Sequence, residues 1–189
     1  LEFRRVLFRS GKEGYLPDAT PDFVAGLERR LAGKLPEHFD ALVAQALTGK
    51  RVVRLKGGDC GIFGRLEEEI EALEAAGIAF TILPGLTSAA VAAAAIGQSL
   101  TKRGRNRALR IVTGHDMQGF ADQDWRGMAR AGEVTAIYMG KKSARFIQGR
   151  LMMHGADAAT AVTVVENVSR ADQRIVAATL ATLPDAVAT

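Results

Sequence analysis

Residues 51–65, with the sequence RVVRLKGGDCGIFGR, place the strongest constraint on the fold of this chain. A short apolar stretch over Arg51–Leu55 predicts a strand, and it runs directly into a turn with four glycines and one acid, Asp59. Glycines let the backbone approach a ligand closely, and open α/β folds bind ligands at the carboxyl ends of their strands. The stretch therefore predicts a small-molecule site on an α/β fold.

The spacing of these glycines excludes the two commonest phosphate-binding loops. Gly57, Gly58, Gly61 and Gly64 do not form GxGxxG, and no Gly-Lys-Ser or Gly-Lys-Thr follows them. A dinucleotide site and a P-loop are therefore not expected, whereas another adenosyl ligand remains open. Asp59 either accepts hydrogen bonds from the amino group or ribose hydroxyls of such a ligand, or serves only as a turn residue.

The composition fits a soluble enzyme of the cytoplasm. The 189 residues are 48% apolar and 24% charged, enough for one substantial core or two small ones. No segment has the roughly 20 consecutive apolar residues of a membrane span. The single cysteine, Cys60, excludes an internal disulfide framework, and no cluster of Cys and His indicates a metal.

The net charge of +4 permits a nucleic-acid partner but does not favour one. The basic residues are scattered, and aromatic residues make up only 6% of the chain. A nucleic-acid binder more often has a dense basic stripe or stacking aromatics. An anionic small substrate explains the charge equally well.

Beyond Gly49, predicted strands and helices alternate, which is typical of an α/β sheet. Strands are predicted at Arg51–Leu55, Ala79–Leu83, Leu109–Thr113, Thr135–Tyr138, Ala161–Glu166 and Arg174–Ala178. Two helices are predicted before Gly49, at Pro21–Leu31 and Glu37–Thr48. Beyond it, helices are predicted at Arg65–Ala76, Ser88–Ile96, Asp124–Ala131 and Ala144–His154, with another at the C-terminus. Five glycines that follow helices are expected to end them: Gly49, Gly77, Gly97, Gly132 and Gly155.

Four further motifs follow the glycine turn in a fixed order. They are PGLTSA at Pro84–Ala89, LTKRG at Leu100–Gly104, VTGH at Val112–His115 and YMG at Tyr138–Gly140. The series resembles the tetrapyrrole methylases, and most closely the uroporphyrinogen-III C-methyltransferases, whose motifs read GGDPFIFGR, PGxTSA, LTHRG, VTGH and YMG. The resemblance extends from about Lys50 to the C-terminus. It implies two α/β domains with the cofactor cleft between them, S-adenosylmethionine (SAM) as methyl donor, and a homodimer.

The resemblance also implies which residues contact SAM. The matching positions are Gly57, Gly58, Asp59, Ile62, Thr87, Ser88, Met139 and Val168. In the glycine turn, Cys60-Gly61 replaces the Pro-Phe of the family, and Val168 replaces a glycine.

Each of these positions also has a simpler explanation. Thr87 or Ser88 is expected to cap the helix that follows, while the helix N-terminus also offers amides to the methionyl carboxylate of SAM. Met139 could instead fill a core. A β-branched residue at Val168 is expected to crowd hydrogen bonds from the backbone to the ligand.

The same resemblance implies a substrate with many carboxylates, and a basic run is expected to bind it. Lys102, Arg103 and Arg105 match the segment after LT, although Lys102 stands where the family has histidine. These residues either bind acetate and propionate groups or form a solvated surface. His115 either contacts the substrate or makes a loop hydrogen bond.

The N-terminal part of the chain matches the family poorly. Residues 1–10 are interpreted as a non-native segment, and the usual GxGPGDP loop is absent, so the chain looks truncated at its start. If Gly11-Lys12 matches the family's GKR, Lys12 stands at a proposed proton-donor position; otherwise it faces solvent. The expected division is residues 11–104 for the rest of the N-terminal domain with the SAM loop, and 105–189 for the C-terminal domain.

These expectations together describe a SAM-dependent C-methyltransferase. The implied reaction converts uroporphyrinogen III to precorrin-2 by methylation at C2 and C7, for sirohaem or cobalamin synthesis. Two alternatives stay open: another precorrin methyltransferase of the corrin pathway, or a fragment that binds SAM or a tetrapyrrole without turnover. No metal, nucleic acid or membrane is expected to take part.

Overall fold

The computed structural model describes residues 42–49, 51–54, 56–106, 108–117 and 119–188. The chain divides into two compact units, a first unit that ends at Gly85 and a second unit that begins at Leu86. This division falls earlier in the chain than the boundary expected at residues 104 and 105, which stays a prediction of the domain organisation. The helix predicted at Pro21–Leu31 lies outside the described residues.

The described part of the first unit contains two helical segments. Residues 42–47 are helical, within the predicted Glu37–Thr48, and Gly49 follows with a left-handed φ of 77°. Helix α1 spans Leu66–Ala75. Gly77 follows the end of the helix, and the next amide, that of Ile78, donates to Leu73 O at 2.9 Å. This bond closes a Schellman motif.

A buried carboxylate fixes helix α1 to the segment before the glycine turn. Glu69 is only 4% exposed, and its Oε1 accepts from Lys56 Nζ at 2.9 Å and from Arg54 Nε at 3.1 Å. A buried charge is tolerated when it is paired in this way. The ion pairs therefore hold residues 54 and 56 against the helix without a sheet ladder.

Two strands predicted in the first unit are not formed. The described residues of Arg51–Leu55, which are 51–54, and those of Ala79–Leu83 have no strand assignment. The local sequence in both is suitable, but a strand also needs a partner ladder, and neither segment has one within the described part of the chain. Phe80, Ile82 and Leu83 are accordingly exposed.

The second unit begins with helix α2 and then a parallel pair of strands. Helix α2 spans Ser88–Ala95 and ends before Gly97, which has a φ of 66°. Strands β1, Leu109–Thr113, and β2, Val134–Tyr138, pair in parallel with Leu109 opposite Val134 and Thr113 opposite Tyr138. Their carboxyl ends therefore lie side by side, and the short helix α3, Trp125–Met128, lies in the connection between them.

The chain then forms helix α4 over Ala144–Met153 and an antiparallel pair, β3 and β4. Strand β3 spans Ala161–Glu166 and β4 spans Arg174–Thr179, with Glu166 opposite Arg174 at the hairpin end. Helix α5, Leu183–Ala188, completes the unit. The buried core joins α3, α4 and the residues around α5: Trp125, Ala144, Ile147, Leu180 and Leu183.

The elements of the second unit agree closely with those expected from the sequence. Strands β1 and β3 have the predicted bounds, and β2 and β4 each gain one residue. Helix α3 is shorter than the predicted Asp124–Ala131; Asp124 caps it by accepting from Gly127 N at 2.9 Å. Within the described residues, no helix is both long and apolar enough to cross a bilayer.

Candidate functional site

The glycine turn of the first unit is organised by the carboxylate of Asp59. Its Oδ1 accepts from the amide of Gly61 at 2.8 Å, and its Oδ2 accepts from the amide of Gly85 at 3.1 Å. The backbone is left-handed at Gly58, Phe63 and Arg65, with φ of 75°, 52° and 55°. Non-glycine residues rarely adopt this conformation and cluster at functional sites when they do.

The turn also packs directly against the backbone of the PGLTSA motif. A Cβ placed on Gly85 would lie 2.0 Å from the carbonyl oxygen of Gly58, so only glycine fits at position 85. Cys60 Sγ lies 3.9 Å from Leu83 O, a second link between the two segments. The hydrogen bonds that Asp59 accepts from Gly61 and Gly85 give it the structural role expected of a turn residue, whatever ligand it also contacts.

The predicted SAM residues of this turn lie together and leave polar groups available. Gly57, Gly58, Asp59 and Ile62 share one turn, and the side chain of Ile62 is exposed. The amides of Gly57 and Gly58 donate to no acceptor within the described residues. Because each carboxylate oxygen has two lone pairs, Asp59 can still accept bonds from a ligand. A polar cofactor such as SAM fits this donor and acceptor set.

The start of helix α2 is not capped in the way the sequence predicted. Thr87 is the N-cap residue, but its side chain makes no capping hydrogen bond, and no bond of this kind is made by Ser88. Instead the phenolic oxygen of Tyr138 accepts from the amide of Ala89 at 2.8 Å and is hydrogen-bonded to Thr87 Oγ1. Capping by the hydroxyls of Thr87 or Ser88 is therefore wrong, because a tyrosine from β2 takes that place.

This arrangement limits the anion site expected at the helix. The amide of Ala90 donates to Thr87 O at 3.0 Å, and that of Ala89 is taken by Tyr138. Among the described residues, the amide of Ser88 makes no hydrogen bond. Within the described part of the chain, the amide of Ser88 thus remains for a ligand carboxylate, whereas those of Ala89 and Ala90 are taken.

The carboxyl ends of β1 and β2 meet at two glycines. The amide of Gly114 donates to Tyr138 O at 2.7 Å, and a Cβ on Gly114 would lie 3.0 Å from the Cα of Gly140. Buried Ser143 donates through its hydroxyl to Gly114 O. The VTGH and YMG motifs therefore form one closely packed edge.

Met139 projects from this edge. Its backbone is left-handed, with a φ of 54°, and the residue is 48% exposed. The alternative that Met139 fills a core is therefore wrong. Its contact with SAM, which the resemblance implies, stays a prediction.

His115 makes the loop hydrogen bonds expected of the simpler explanation. Its amide donates to Thr113 Oγ1 at 3.3 Å, and its carbonyl accepts from the same hydroxyl at 2.6 Å. The imidazole meets Phe120 edge to face, with ring centres 6.2 Å apart. Its Nδ1 is buried without a hydrogen-bond partner among the described residues, so a substrate contact stays a prediction.

The basic motif forms an exposed turn of its own. The amides of Arg105 and Asn106 donate to Lys102 O at 3.0 and 2.9 Å, and Gly104 has a φ of 77°. Within the described part of the chain, Lys102, Arg103 and Arg105 have no carboxylate partner. Their side chains are accordingly available to an anionic ligand.

Val168 is buried in the loop after β3, and crowding of a bound ligand by its side chain stays a prediction. The residue is 1% exposed, and the left-handed conformations fall on its neighbours Asn167 and Ser169, with φ of 49° and 64°. Position 168 itself is therefore compatible with a β-branched residue, and only its backbone groups remain for a ligand. Lys12, the proposed proton donor, lies outside the described residues.

One cavity of the structure lies away from the predicted site residues. A cavity of about 240 Å³ lies beside β1, lined by Arg110, Ile111, Val112, Gln123, Asp124 and Met128. None of the predicted site residues is among them, so this cavity is not part of the candidate site. In the described ranges, no three His, Cys, Asp or Glu residues are grouped to hold a metal ion.

Comparison with known proteins identifies the family of this chain. The sequence matches the family described as Tetrapyrrole (Corrin/Porphyrin) Methylases over residues 6–184. The chain belongs to this family. The family and the α/β fold class predicted from the sequence are confirmed, and SAM is the methyl donor that the family uses.

The similar proteins include two siroheme synthases. The one from Edwardsiella ictaluri is 45% identical over 166 residues, which are 88% of this chain and 36% of that protein. The one from Nitrosospira multiformis is 42% identical over 170 residues, 89% of this chain and 36% of that protein. This chain thus spans little more than a third of the length of these curated relatives.

Two solved structures are also similar to this chain. The uroporphyrin-III C-methyl transferase from Thermus thermophilus, complexed with S-adenyl homocysteine, superposes with a TM-score of 0.68 at 32% identity, covering 79% of this chain and 63% of its own. A cobalt precorrin-4 methyltransferase superposes with a TM-score of 0.74 at 24% identity, covering 82% and 66%. The second similarity supports the fold alone.

Sequence reasoning missed three residues that assemble the site. Gly85 permits the close approach to Gly58, Ser143 ties the two strand ends together, and Tyr138 binds the start of α2. Gly85 and Tyr138 both stand inside the motifs that were recognised. Ser143 had no signal in the sequence, since a lone buried serine cannot be told from a surface one.

Proposed function

We propose that this chain is a SAM-dependent C-methyltransferase that acts on uroporphyrinogen III, with methylation at C2 and C7 to give precorrin-2. The observation that carries this proposal is the glycine turn, where Asp59 holds Gly61 and Gly85 while the amides of Gly57 and Gly58 have no acceptor among the described residues. Similarity to a uroporphyrin-III C-methyl transferase solved with S-adenyl homocysteine supports it.

SAM supplies an electrophilic methyl group on a sulfonium. The task of the chain is to bind this donor and to hold an electron-rich pyrrole carbon in line with the methyl group. Gly57, Gly58 and Asp59 offer two donors and an acceptor for its polar groups. Exposed Met139 offers a polarisable thioether for an apolar contact with the donor.

The exposed turn with Lys102, Arg103 and Arg105 is proposed to bind the substrate. Uroporphyrinogen III carries a rim of acetate and propionate groups, and these cations have no competing carboxylate among the described residues. Arginine binds carboxylates with two parallel hydrogen bonds, which fixes orientation as well as affinity. His115 is proposed to assist through the Nδ1 atom of its ring, which has no hydrogen-bond partner among the described residues.

The proposal is tested by methyl transfer from labelled SAM to uroporphyrinogen III, with the product analysed by mass spectrometry. Addition of two methyl groups is the expected result. Turnover of a later precorrin but not of uroporphyrinogen III would instead identify another methylase of the corrin pathway. Binding of S-adenosylhomocysteine without any methyl transfer would identify a non-catalytic fragment.

The active form is proposed to be a homodimer. Sedimentation velocity at the protein concentration of the assay measures this directly. A monomer that turns over at full rate would contradict the homodimer but leave the proposed reaction intact.

A further inference from the structure

The phenolic oxygen of Tyr138 joins two segments that bear predicted SAM contacts. Tyr138 is the last residue of β2 and stands directly before Met139. Its oxygen accepts from the amide of Ala89, the second residue of α2, at 2.8 Å and is hydrogen-bonded to Thr87 Oγ1. One side-chain hydroxyl, 51 residues away in sequence, and one backbone amide, 49 residues away, are thereby bonded to the same atom.

These bonds satisfy a helix amide and orient a hydroxyl, in addition to joining two elements. The amide of Ala89 lies in the first turn of α2, where no helical carbonyl can accept from it. Thr87 makes no capping bond of its own, so the orientation of its hydroxyl is set by Tyr138. The backbone of Met139 is left-handed, which requires firm support from its neighbours.

We propose that Tyr138 is a positioning residue of the methyl-donor site. It holds the Thr87 hydroxyl and the start of α2 in register with the backbone of Met139, so that both predicted contacts are in place before the donor binds. This inference rests on the proposed function. Preorganisation of this kind raises affinity because less freedom is lost on binding.

The substitution Tyr138→Phe tests the proposal, because it removes one oxygen and keeps the ring. We expect the Kd for S-adenosylhomocysteine, measured by calorimetry, to rise about tenfold, the usual effect of one or two lost hydrogen bonds. The KM for the tetrapyrrole should stay near that of the wild type. Thr87→Val should weaken binding too, and the double variant should lose less than the product of the two single effects.

Gln148→Leu is the matched control for a loss of stability alone. Gln148 Nε2 donates to Leu180 O at 2.9 Å, a side-chain bond to the backbone in the same unit but at no predicted site residue. Its Kd for S-adenosylhomocysteine should be unchanged even if its melting temperature falls. A folded Tyr138→Phe variant that binds as tightly as the wild type overturns the assignment of Tyr138 but not the proposed function.

Two further outcomes are also decisive. If the wild-type chain itself does not bind S-adenosylhomocysteine, the proposed function and the role of Tyr138 fail together. If Tyr138→Phe does not fold, hydrogen exchange of the Ala89 amide in the wild type takes its place. We expect this amide to be protected and its exchange to slow further when S-adenosylhomocysteine binds. An exchange rate that is the same with and without S-adenosylhomocysteine overturns the proposal.

Discussion

The amide of Gly85 donates to Asp59 Oδ2 at 3.1 Å, and a side chain on Gly85 would strike the carbonyl oxygen of Gly58. The carboxylate at one motif therefore holds a glycine of the next, and the absence of a side chain at residue 85 permits that approach. Both residues matter for the glycine turn before any ligand is considered.

Gly85→Ala should destabilise the first unit by about 1–3 kcal/mol, because the new Cβ must push two backbone segments apart. Urea unfolding followed by circular dichroism measures this. Gly149→Ala is the control, since a Cβ there meets nothing within 4 Å and the residue lies inside helix α4. It should stabilise by about 0.5–1 kcal/mol. Equal midpoints for Gly85→Ala and the wild type would contradict the close approach.

Asp59→Ala should weaken binding of S-adenosylhomocysteine by about 1.5–3 kcal/mol if the carboxylate accepts hydrogen bonds from the ligand. Calorimetry on the folded variant measures the affinity, and urea unfolding measures separately what the lost bonds to Gly61 and Gly85 cost. Glu67→Ala, which removes an exposed acid on the neighbouring helix, is the control for charge alone. Unchanged affinity in a folded Asp59→Ala variant would leave Asp59 as a turn residue only.

Charge reversal at Arg103 and Arg105 should raise the KM for the tetrapyrrole and leave the Kd for S-adenosylhomocysteine unchanged. The effect should be larger at low salt, because exposed charges are screened by ions within about 10 Å at 0.1 M. The control reverses Arg126 and Arg130, which are also exposed and lie elsewhere in the second unit. If both double variants raise KM equally, only the net charge of the protein matters.

Asp122 should make stability depend on acidic pH. The indole N–H of Trp125 donates to its Oδ1 at 2.8 Å, and this bond, followed by one from the amide of Gln123, holds the pKa of the carboxyl below its ordinary value. A lowered pKa adds stability above the unfolded value, and this is lost as pH falls through the folded value. Asp122→Asn should therefore be less stable than the wild type at pH 7.

The difference between the two proteins should shrink below about pH 4, where an unfolded Asp begins to bind its proton. Urea unfolding at a series of pH values compares them. Asn keeps an acceptor for the indole, so the comparison isolates the charge. A difference in stability that is the same at every pH would show that the lowered pKa of Asp122 has no effect on folding.

The sequence predicted the second unit far better than the first. Strands β1 and β3 and helices α2 and α4 have local signals, namely apolar β-branched runs and glycines that adopt a left-handed conformation at helix ends. The segments at Arg51–Leu55 and Ala79–Leu83 have equally good local signals. Whether these two segments form strands depends on hydrogen bonds to a neighbouring strand, and the local sequence does not encode that pairing.

Prediction of the candidate site from the sequence has the same limit. The motifs placed the glycine turn, the start of α2 and the end of β2 correctly along the chain. The cap of α2 is expected from Thr87 or Ser88 because capping is usually local, whereas the oxygen that binds Ala89 comes from Tyr138. A contact over such a separation follows from tertiary packing, and spacing rules within one segment cannot predict it.

The exposed segment at Ala79–Leu83 bears on how the protein behaves in concentrated solution. Leu83 is 54% exposed, and no charged residue occurs between Glu74 and Lys102. Uncharged β-prone stretches with exposed apolar side chains and unpaired backbone groups are templates for pairing between copies. We therefore expect this stretch to favour association between copies, and the net charge of +4 does not oppose it locally, since none of that charge lies on it.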